Sequence, residues 1–94
     1  MKHLFITKAA IRYVFSLYVV TARNEKGLTQ QELAEQVQAS VRWIQLIEKG
    51  RRLPGFCLAI NLIVALEIDP LSLFQAILAQ QQKKEEKRVP VSTH

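Results

Sequence analysis

The sequence predicts an all-α fold with five helices in a single domain. Apolar residues recur at three- and four-residue steps along most of the 94 residues, and no segment alternates with a period of two between glycine-rich turns. The chain is too short to divide into two domains that each support a core. Hydrophobic residues make up 49% and charged residues 22%, a balance typical of a folded globular protein and not of a disordered or membrane protein.

The first helix is predicted from about residue 7 to residue 26. It ends at Gly27, because glycine readily adopts the left-handed conformation that follows many helices. The helix has two apolar stripes. One faces the expected core (Phe15, Val19 and Ala22), and the other lies on the opposite side (Tyr13, Leu17 and Val20). We expect the second stripe to form a dimer or partner interface, with helix five folding back over it as the alternative; both can hold at once.

Two short helices are predicted next. Thr29 and Glu32 have the spacing of a capping box, in which each side chain bonds the backbone amide of the other, and they begin helix two. Ser40 follows a polar break and caps helix three. Helix three ends at Gly50, and the basic loop of residues 51–54 follows it.

Helix four is predicted over about residues 55–66. This segment is apolar nearly all round, as expected of a helix that the other helices surround. We therefore expect Cys57 to be a small buried core residue and not a reactive thiol.

Helix five is predicted to begin after Asp69, which caps it, with Pro70 at its first position. Its apolar residues mark one face of the helix and comprise Leu71, Phe74, Ile77 and Leu78. We expect the helix to fray after Gln82. The domain then spans residues 1–82, and residues 83–94 form a charged, disordered tail.

Charge and reactive side chains narrow the function. Thirteen Lys and Arg against eight Asp and Glu give a net charge of +5, which favours a polyanionic partner such as nucleic acid. The single cysteine and two terminal histidines exclude an intrachain disulfide and a zinc cluster, and neither histidine has a catalytic neighbour. We expect no enzyme activity, metal or cofactor. The single cysteine also favours a cytoplasmic protein. Lys8 and Arg12 interrupt the apolar N-terminal segment, so we expect neither a signal peptide nor a membrane span.

A set of residues around helices two and three stands at characteristic spacing: Thr29-Gln30-Gln31-Glu32-Leu33-Ala34, then Ser40, Ile44, Glu48-Lys49-Gly50, Pro54 and Leu66. In these residues the chain resembles the phage-repressor and Cro-like (xenobiotic-response-element) helix-turn-helix family, over about residues 15–74. The resemblance implies a lambda-repressor-like DNA-binding domain with the helix-turn-helix at helices two and three. Two positions depart from the family pattern, since Gln38 replaces the usual turn glycine and Glu67 the usual glycine or asparagine after helix four.

Helix three is expected to present a base-reading surface. Ile44 and Ile47 point to one side of a helical wheel, which we expect to face the core. The opposite side carries a mixture of cationic, amide and apolar groups, which can contact base edges in a major groove. The expected base-reading residues are Val41, Arg42, Trp43, Gln45 and Leu46. The alternative for the whole set is an ordinary solvated face. For Trp43 alone, packing against helix two is a second alternative.

Phosphate contacts are expected at the ends of these helices, from Gln30, Ser40, Lys49, Arg51 and Arg52. The resemblance implies the contact by Gln30, at a position where the family has an amide that meets the DNA backbone. It also implies a structural ion pair between Arg23 and Glu48, because the family pairs an arginine late in helix one with this glutamate.

These features together predict a sequence-specific regulator of transcription that binds double-stranded DNA. We expect a repressor that binds a short palindromic operator as a homodimer. One alternative is an antitoxin-like subunit that binds a toxin-like partner protein and autoregulates through the same DNA site. A third possibility, attachment of helix one to an anionic membrane surface, requires vesicle binding without DNA binding.

Overall fold

The computed structural model describes residues 5–87. This part of the chain consists of five α-helices without any strand: α1 (Lys8–Glu25), α2 (Gln30–Val37), α3 (Val41–Glu48), α4 (Phe56–Leu66) and α5 (Pro70–Lys87). The prediction of a five-helix all-α fold is confirmed. Within residues 5–87 no single helix is long and apolar enough to cross a bilayer, although α4 and most of α5, bent by 118°, meet the length and composition requirements together.

The helix starts follow from local hydrogen bonds. Thr29 Oγ1 accepts from the amide of Glu32 at 3.0 Å, and the amide of Thr29 donates to Glu32 Oε1 at 2.9 Å, which completes the predicted capping box. Ser40 Oγ accepts from the amide of Trp43 at 3.0 Å and caps α3 as expected. Thr7 caps α1 in the same manner by accepting from the amide of Ala10.

Two helices end in left-handed residues that are not glycine. Gln38 after α2 has φ 56°, and Glu67 after α4 has φ 57°. These are the two positions at which the sequence departs from the family pattern. The chain therefore keeps the left-handed turns and accepts the steric cost that glycine avoids.

The core lies between α1, α2 and α3 and extends to one side of α4 and α5. Every helix contributes buried apolar side chains, and those of α1 include Phe15 and Val19, as predicted, with Ala22 half-buried at the edge. The largest fully buried apolar residues are Leu33, Ile44, Ile47, Leu62, Leu73 and Val19.

Helix α4 is not the central rod that the sequence predicts. Only Leu62 and Leu66 of its side chains are buried, whereas Phe56 is 84% and Val64 is 68% exposed. The buried side of α4 packs against α2 and α1, and no element in residues 5–87 covers the other side. Cys57 lies on that outer side and is exposed, so its prediction as a core residue is wrong.

The apolar face predicted for α5 lies mostly away from the core, and only Ile77 of its residues is buried. Leu71 and Phe74 are 63% and 60% exposed, and Leu78 is exposed as well. The buried side is instead formed by Leu73, Ile77 and Gln81. Apolar residues occupy two adjoining stripes of this helix, so their periodicity alone does not determine which stripe meets the core.

Helix α5 folds back along α1 and is longer than predicted. Tyr18 Oη lies 2.9 Å from Ser72 Oγ, and both the amide and the hydroxyl of Thr7 donate to Gln81 Oε1, at 3.1 and 3.0 Å. The helix continues past Gln82 to Lys87, because glutamine, lysine and glutamate are good helix formers. The remainder of the predicted tail, residues 88–94, lies outside the described residues.

Candidate nucleic-acid interface

The turn between α2 and α3 sets the position of α3. Gln38 in its left-handed conformation reverses the chain, and the amide of Ala39 donates to the carbonyl of Ala34 at 2.9 Å, which closes the end of α2. Ile44 and Ile47 then anchor α3 in the core with 0% and 1% exposure. The opposite side of α3 is left facing solvent.

The predicted base-reading residues divide into two groups. Arg42 is exposed, and Gln45 and Leu46 are half-buried on the outer side of α3. Val41 and Trp43 are also half-buried, and they differ from the first group in that they pack against the core cluster. The guanidinium of Arg52 lies over the Trp43 ring, 6.0 Å from its centroid, and thereby links the basic loop to the start of α3.

Cationic side chains are concentrated around the end of α3. Residues 42–52 contain four Arg or Lys and one acidic residue, Glu48. Lys49, Arg51 and Arg52 are exposed, as is Ser40 at the opposite end of the helix. This placement creates a positive rim beside the solvent-facing side of α3.

Glu48 is the acidic exception, and its charge is directed inward. Arg23 Nε donates to Glu48 Oε2 at 2.6 Å, and Nη2 donates to Oε1 at 3.0 Å. The third donor of Arg23, Nη1, meets the carbonyl of Leu28 at 2.8 Å. The two side chains of the pair are 14% and 6% exposed, so the ion pair joins α1 to α3 largely out of water.

The environment of Arg23 favours its charged form. The hydrogen bond to Glu48 raises the pKa of Arg23 above its ordinary value, and the negative charge of Glu48 adds to this effect, while burial opposes it. Arg23 therefore remains protonated and positively charged at neutral and moderately alkaline pH.

Gln30 has a hydrogen-bonding role that the sequence analysis does not predict. Its Nε2 donates to Glu48 Oε1 at 2.9 Å, and its Oε1 accepts from Gln45 Nε2 at 3.4 Å. The three-residue spacing of Gln45 and Glu48 places both on one side of α3 and is a sequence signal for this link. The contact to α2 depends on how the two helices cross, which the spacing does not show.

The second apolar stripe of α1 is only partly covered. Tyr13 and Leu17 are 51% and 49% exposed, and Val20 is half-buried. Helix α5 does pack on α1, but along the side that carries Tyr18. Folding back of helix five therefore does not remove this stripe from solvent.

Comparison with known protein families shows to which family this arrangement of helices belongs. Residues 16–72 match the family model described as a helix-turn-helix domain. The chain belongs to the helix-turn-helix domain family. The match covers α2, the turn and α3 together with most of α1 and all of α4, so the helix-turn-helix resemblance seen in the sequence is confirmed. Members of this class dock their second helix in a DNA major groove.

Solved structures of regulators share the fold of this helix-turn-helix domain. The clp gene regulator ClgR from Corynebacterium glutamicum superposes with a TM-score of 0.67 at 21% identity, over 82% of each chain. The restriction-modification controller protein C.Esp1396I superposes with a TM-score of 0.62 at 23% identity, over 74% of this chain and 90% of that one. No curated protein matches the chain by sequence.

Proposed function

We propose that this helix-turn-helix domain is a cytoplasmic, sequence-specific regulator of transcription that represses genes by binding a short palindromic operator. The observation that supports this function best is the placement of α3. Its apolar side is anchored by Ile44 and Ile47, and its outer side offers Arg42, Gln45 and Leu46 beside a rim of exposed cations. A helix held in this way can enter a major groove without disturbing the core.

The side chains of α3 suit different parts of the DNA. The guanidinium of Arg42 can donate two hydrogen bonds to guanine O6 and N7, the amide of Gln45 suits adenine N6 and N7, and Leu46 can contact a thymine methyl group. Val41 and Trp43 contribute their exposed edges. The phosphate contacts are assigned to Lys49, Arg51 and Arg52 at one end and to Gln30 and Ser40 at the helix starts.

The apolar surface of α4 and α5 supports a homodimer. We define this α4–α5 surface by its exposed large side chains: Phe56, Ile60, Val64, Leu71, Phe74 and Leu78. Three of these side chains lie on each helix, and together they expose on the order of 600 Å² per copy; a dimer that covers both helices would approach the roughly 1,200 Å² at which specific interfaces begin. A second copy of the chain is the occupant that also matches a palindromic site, because a twofold axis relates both the helices and the half-sites.

The α1 stripe of Tyr13, Leu17 and Val20 supports the antitoxin-like alternative. This stripe was expected to be a dimer or partner interface, and it is smaller than the α4–α5 surface. If the second copy occupies α4 and α5, the half-exposed Tyr13 and Leu17 remain available to a toxin-like partner protein. DNA binding would then serve autoregulation through the same α3.

Selection of duplexes from a random pool tests DNA recognition. We expect an enriched palindrome whose half-sites are about one helical turn apart, and lower expression of a reporter gene placed behind it. The Arg42→Ala variant should lose preference at one base pair of each half-site. The control Lys83→Ala removes the same charge from the exposed surface of α5 and should retain the motif. A pool without enrichment contradicts the proposal.

Sedimentation of surface variants tests the dimer. Phe56→Glu and Phe74→Glu place charges on the α4–α5 surface and should convert the dimer to a monomer, whereas Leu17→Glu on the α1 stripe should leave it dimeric. Cys57 provides an independent probe, since this exposed thiol should be protected from alkylation as protein concentration rises. A monomer produced by Leu17→Glu alone would assign the interface to α1.

A further inference from the structure

A small cavity lies between the later half of α1 and the turn that joins α4 to α5. Its volume is about 330 Å³, close to the lower end of the range for small-molecule sites. Its apolar lining comes from Leu17 and Tyr18 on α1 and from Leu66 and Ile68 at the turn. Leu66 and Ile68 are buried, whereas Leu17 is half-exposed. An apolar group of modest size can therefore leave water here by entering between the helix and the turn.

The charged residues that line this cavity are all acidic. Glu25 is the last residue of α1, and Glu67 and Asp69 lie on either side of Ile68 in the turn. All three carboxylates belong to exposed residues, so they form a negative rim around the apolar lining. The chain as a whole carries a net charge of +5. Because a negative rim repels phosphates, the proposed DNA contact does not account for it.

The side chain of Lys26 shows which kind of group this rim attracts. Its Nζ lies 3.2 Å from Glu67 Oε2, so an ammonium group already stands against one of the three carboxylates. Glu67 is 78% exposed and can accept a second cation or exchange the first. The family pattern has glycine or asparagine at this left-handed position, so the fold itself requires no carboxylate there.

We propose that this cavity is a binding site for a small organic cation, an ammonium group attached to a short apolar or aromatic body. The body lies between Leu17 and Ile68, and the ammonium lies among the carboxylates of the rim. The ring of Tyr18 adds to the attraction, since an aromatic face attracts a cation, and the hydrogen bond of its hydroxyl to Ser72 holds the ring in place. The site does not include α3, so it goes beyond the proposed function and requires no DNA.

NMR titration of the full chain tests the site. The probe is phenethylammonium, which carries a primary ammonium on a short chain attached to a phenyl ring. Phenylpropionate and phenethyl alcohol have nearly the same shape and serve as the negatively charged and uncharged controls. We expect the probe to shift the backbone amides of residues 17–25 and 66–69 and to leave α3 unchanged, with a dissociation constant on the order of 1 mM. Both controls should bind at least about fivefold more weakly.

Charge variants at the rim should move the affinity in opposite directions. Glu67→Gln keeps the shape of the side chain, removes one carboxylate and should weaken binding of the probe by about threefold. Lys26→Met removes the ammonium that competes for Glu67 and should strengthen binding by about the same factor. Glu35→Gln is the matched control, because it removes the same charge from the exposed side of α2 and should leave the affinity unchanged.

These opposite responses distinguish a cation site from a surface that merely attracts apolar molecules. Equal affinity for the three molecules, shifts confined to the α4–α5 surface, or an affinity that neither Glu67→Gln nor Lys26→Met alters would each refute the site. Both substitutions are at exposed positions, so the variants should be as stable as the wild-type protein, which urea denaturation verifies. No DNA is present in the titration, so a failure to select an operator would contradict the proposed function alone.

Discussion

At the scale of single residues, the two left-handed turns show how the fold tolerates an unfavourable amino acid. Gln38 and Glu67 hold positive φ angles at helix ends where glycine is the favoured residue. Glu67 also forms an ion pair with Lys26 at 3.2 Å, but its side chain is 78% exposed, so this pair adds little stability. The core on either side of each turn holds the backbone in place.

Gln38→Gly should stabilise the protein by about 0.5–1 kcal/mol. Relief of the left-handed strain, about 1–2 kcal/mol, exceeds the entropic cost of glycine in the unfolded chain. Urea denaturation measures the change in the free energy of unfolding. Gln36→Gly, two residues earlier within α2, serves as the control and should destabilise by about 1 kcal/mol; stabilisation by both or neither variant would contradict the strain argument.

The Arg23–Glu48 pair should behave as a coupled unit. Arg23→Met or Glu48→Met alone strands a largely buried charge and should cost about 3 kcal/mol in unfolding free energy. The double variant should cost clearly less than the sum of the single variants, because it leaves neither charge unpaired. Additive costs would show that the two side chains act independently.

The pH for this comparison follows from the direction of the pKa shift. The pKa of Arg23 is raised in the folded protein, chiefly by its hydrogen bond to Glu48. The stabilisation linked to that shift is fully present below the ordinary arginine pKa and is lost only as the pH rises through the still higher folded value. Arg23 is therefore charged near neutral pH, and unfolding measurements made there include its full contribution to stability.

At the scale of helices, local chemistry predicts where the elements begin and end. The hydroxyls of Thr29 and Ser40 and the glycines at 27 and 50 act through neighbouring backbone groups, so their effect is visible in the sequence. The orientation of α4 and α5 was not predictable in the same way. Each has apolar residues on more than one side, and the packing partner that selects the buried side lies far away in the chain.

The same distinction applies to the candidate site. The outward side of α3 could be predicted because Ile44 and Ile47 mark the opposite side unambiguously, and the Arg23–Glu48 pair followed from the family resemblance. The link from Glu48 through Gln30 to Gln45 could not be predicted, since it depends on the crossing of α2 and α3. The three side chains become neighbours only after the turn at Gln38 is formed.

Gln81→Ala should loosen the packing of α5 on α1. Gln81 is 1% exposed, and its Oε1 accepts both hydrogen bonds of Thr7, so truncation removes these bonds and leaves a cavity. We expect a loss of about 2 kcal/mol and faster hydrogen exchange at the Thr7 amide. Gln82→Ala removes the same atoms from an exposed position and should change stability by less than about 0.5 kcal/mol. Equal effects of the two variants would mean that the hydrogen bonds between Thr7 and Gln81 contribute nothing to stability.

At the scale of the whole molecule, we expect the charge of the chain and the proposed dimer to act together on DNA affinity. The proposed phosphate contacts include three cations per copy, Lys49, Arg51 and Arg52, and a homodimer doubles them. Each neutralised phosphate releases counterions, so the logarithm of the binding constant should fall with the logarithm of salt concentration with a slope of roughly −5 for a dimer and about half of that for a monomer.

Arg51→Ala should weaken binding to all sequences alike and reduce the magnitude of this salt slope by about 2 for the dimer, one contact from each copy. Titrations of the selected duplex and of a scrambled one at several salt concentrations measure both effects. Arg42→Ala should instead change the base preference. If the two variants have identical effects on slope and preference, the division between phosphate and base contacts is wrong.

The contact between Thr7 and Gln81 also has a mechanical consequence. Because α1 and α5 are antiparallel, with Thr7 beside Gln81 and Tyr18 beside Ser72, the start of α1 and the later part of α5 lie at the same end of the pair. A pulling force applied at this end would peel α5 away from α1, so the Thr7–Gln81 bonds would break before the Tyr18–Ser72 contact. The half of the domain that contains α2 and α3 would bear tension only after these contacts had broken.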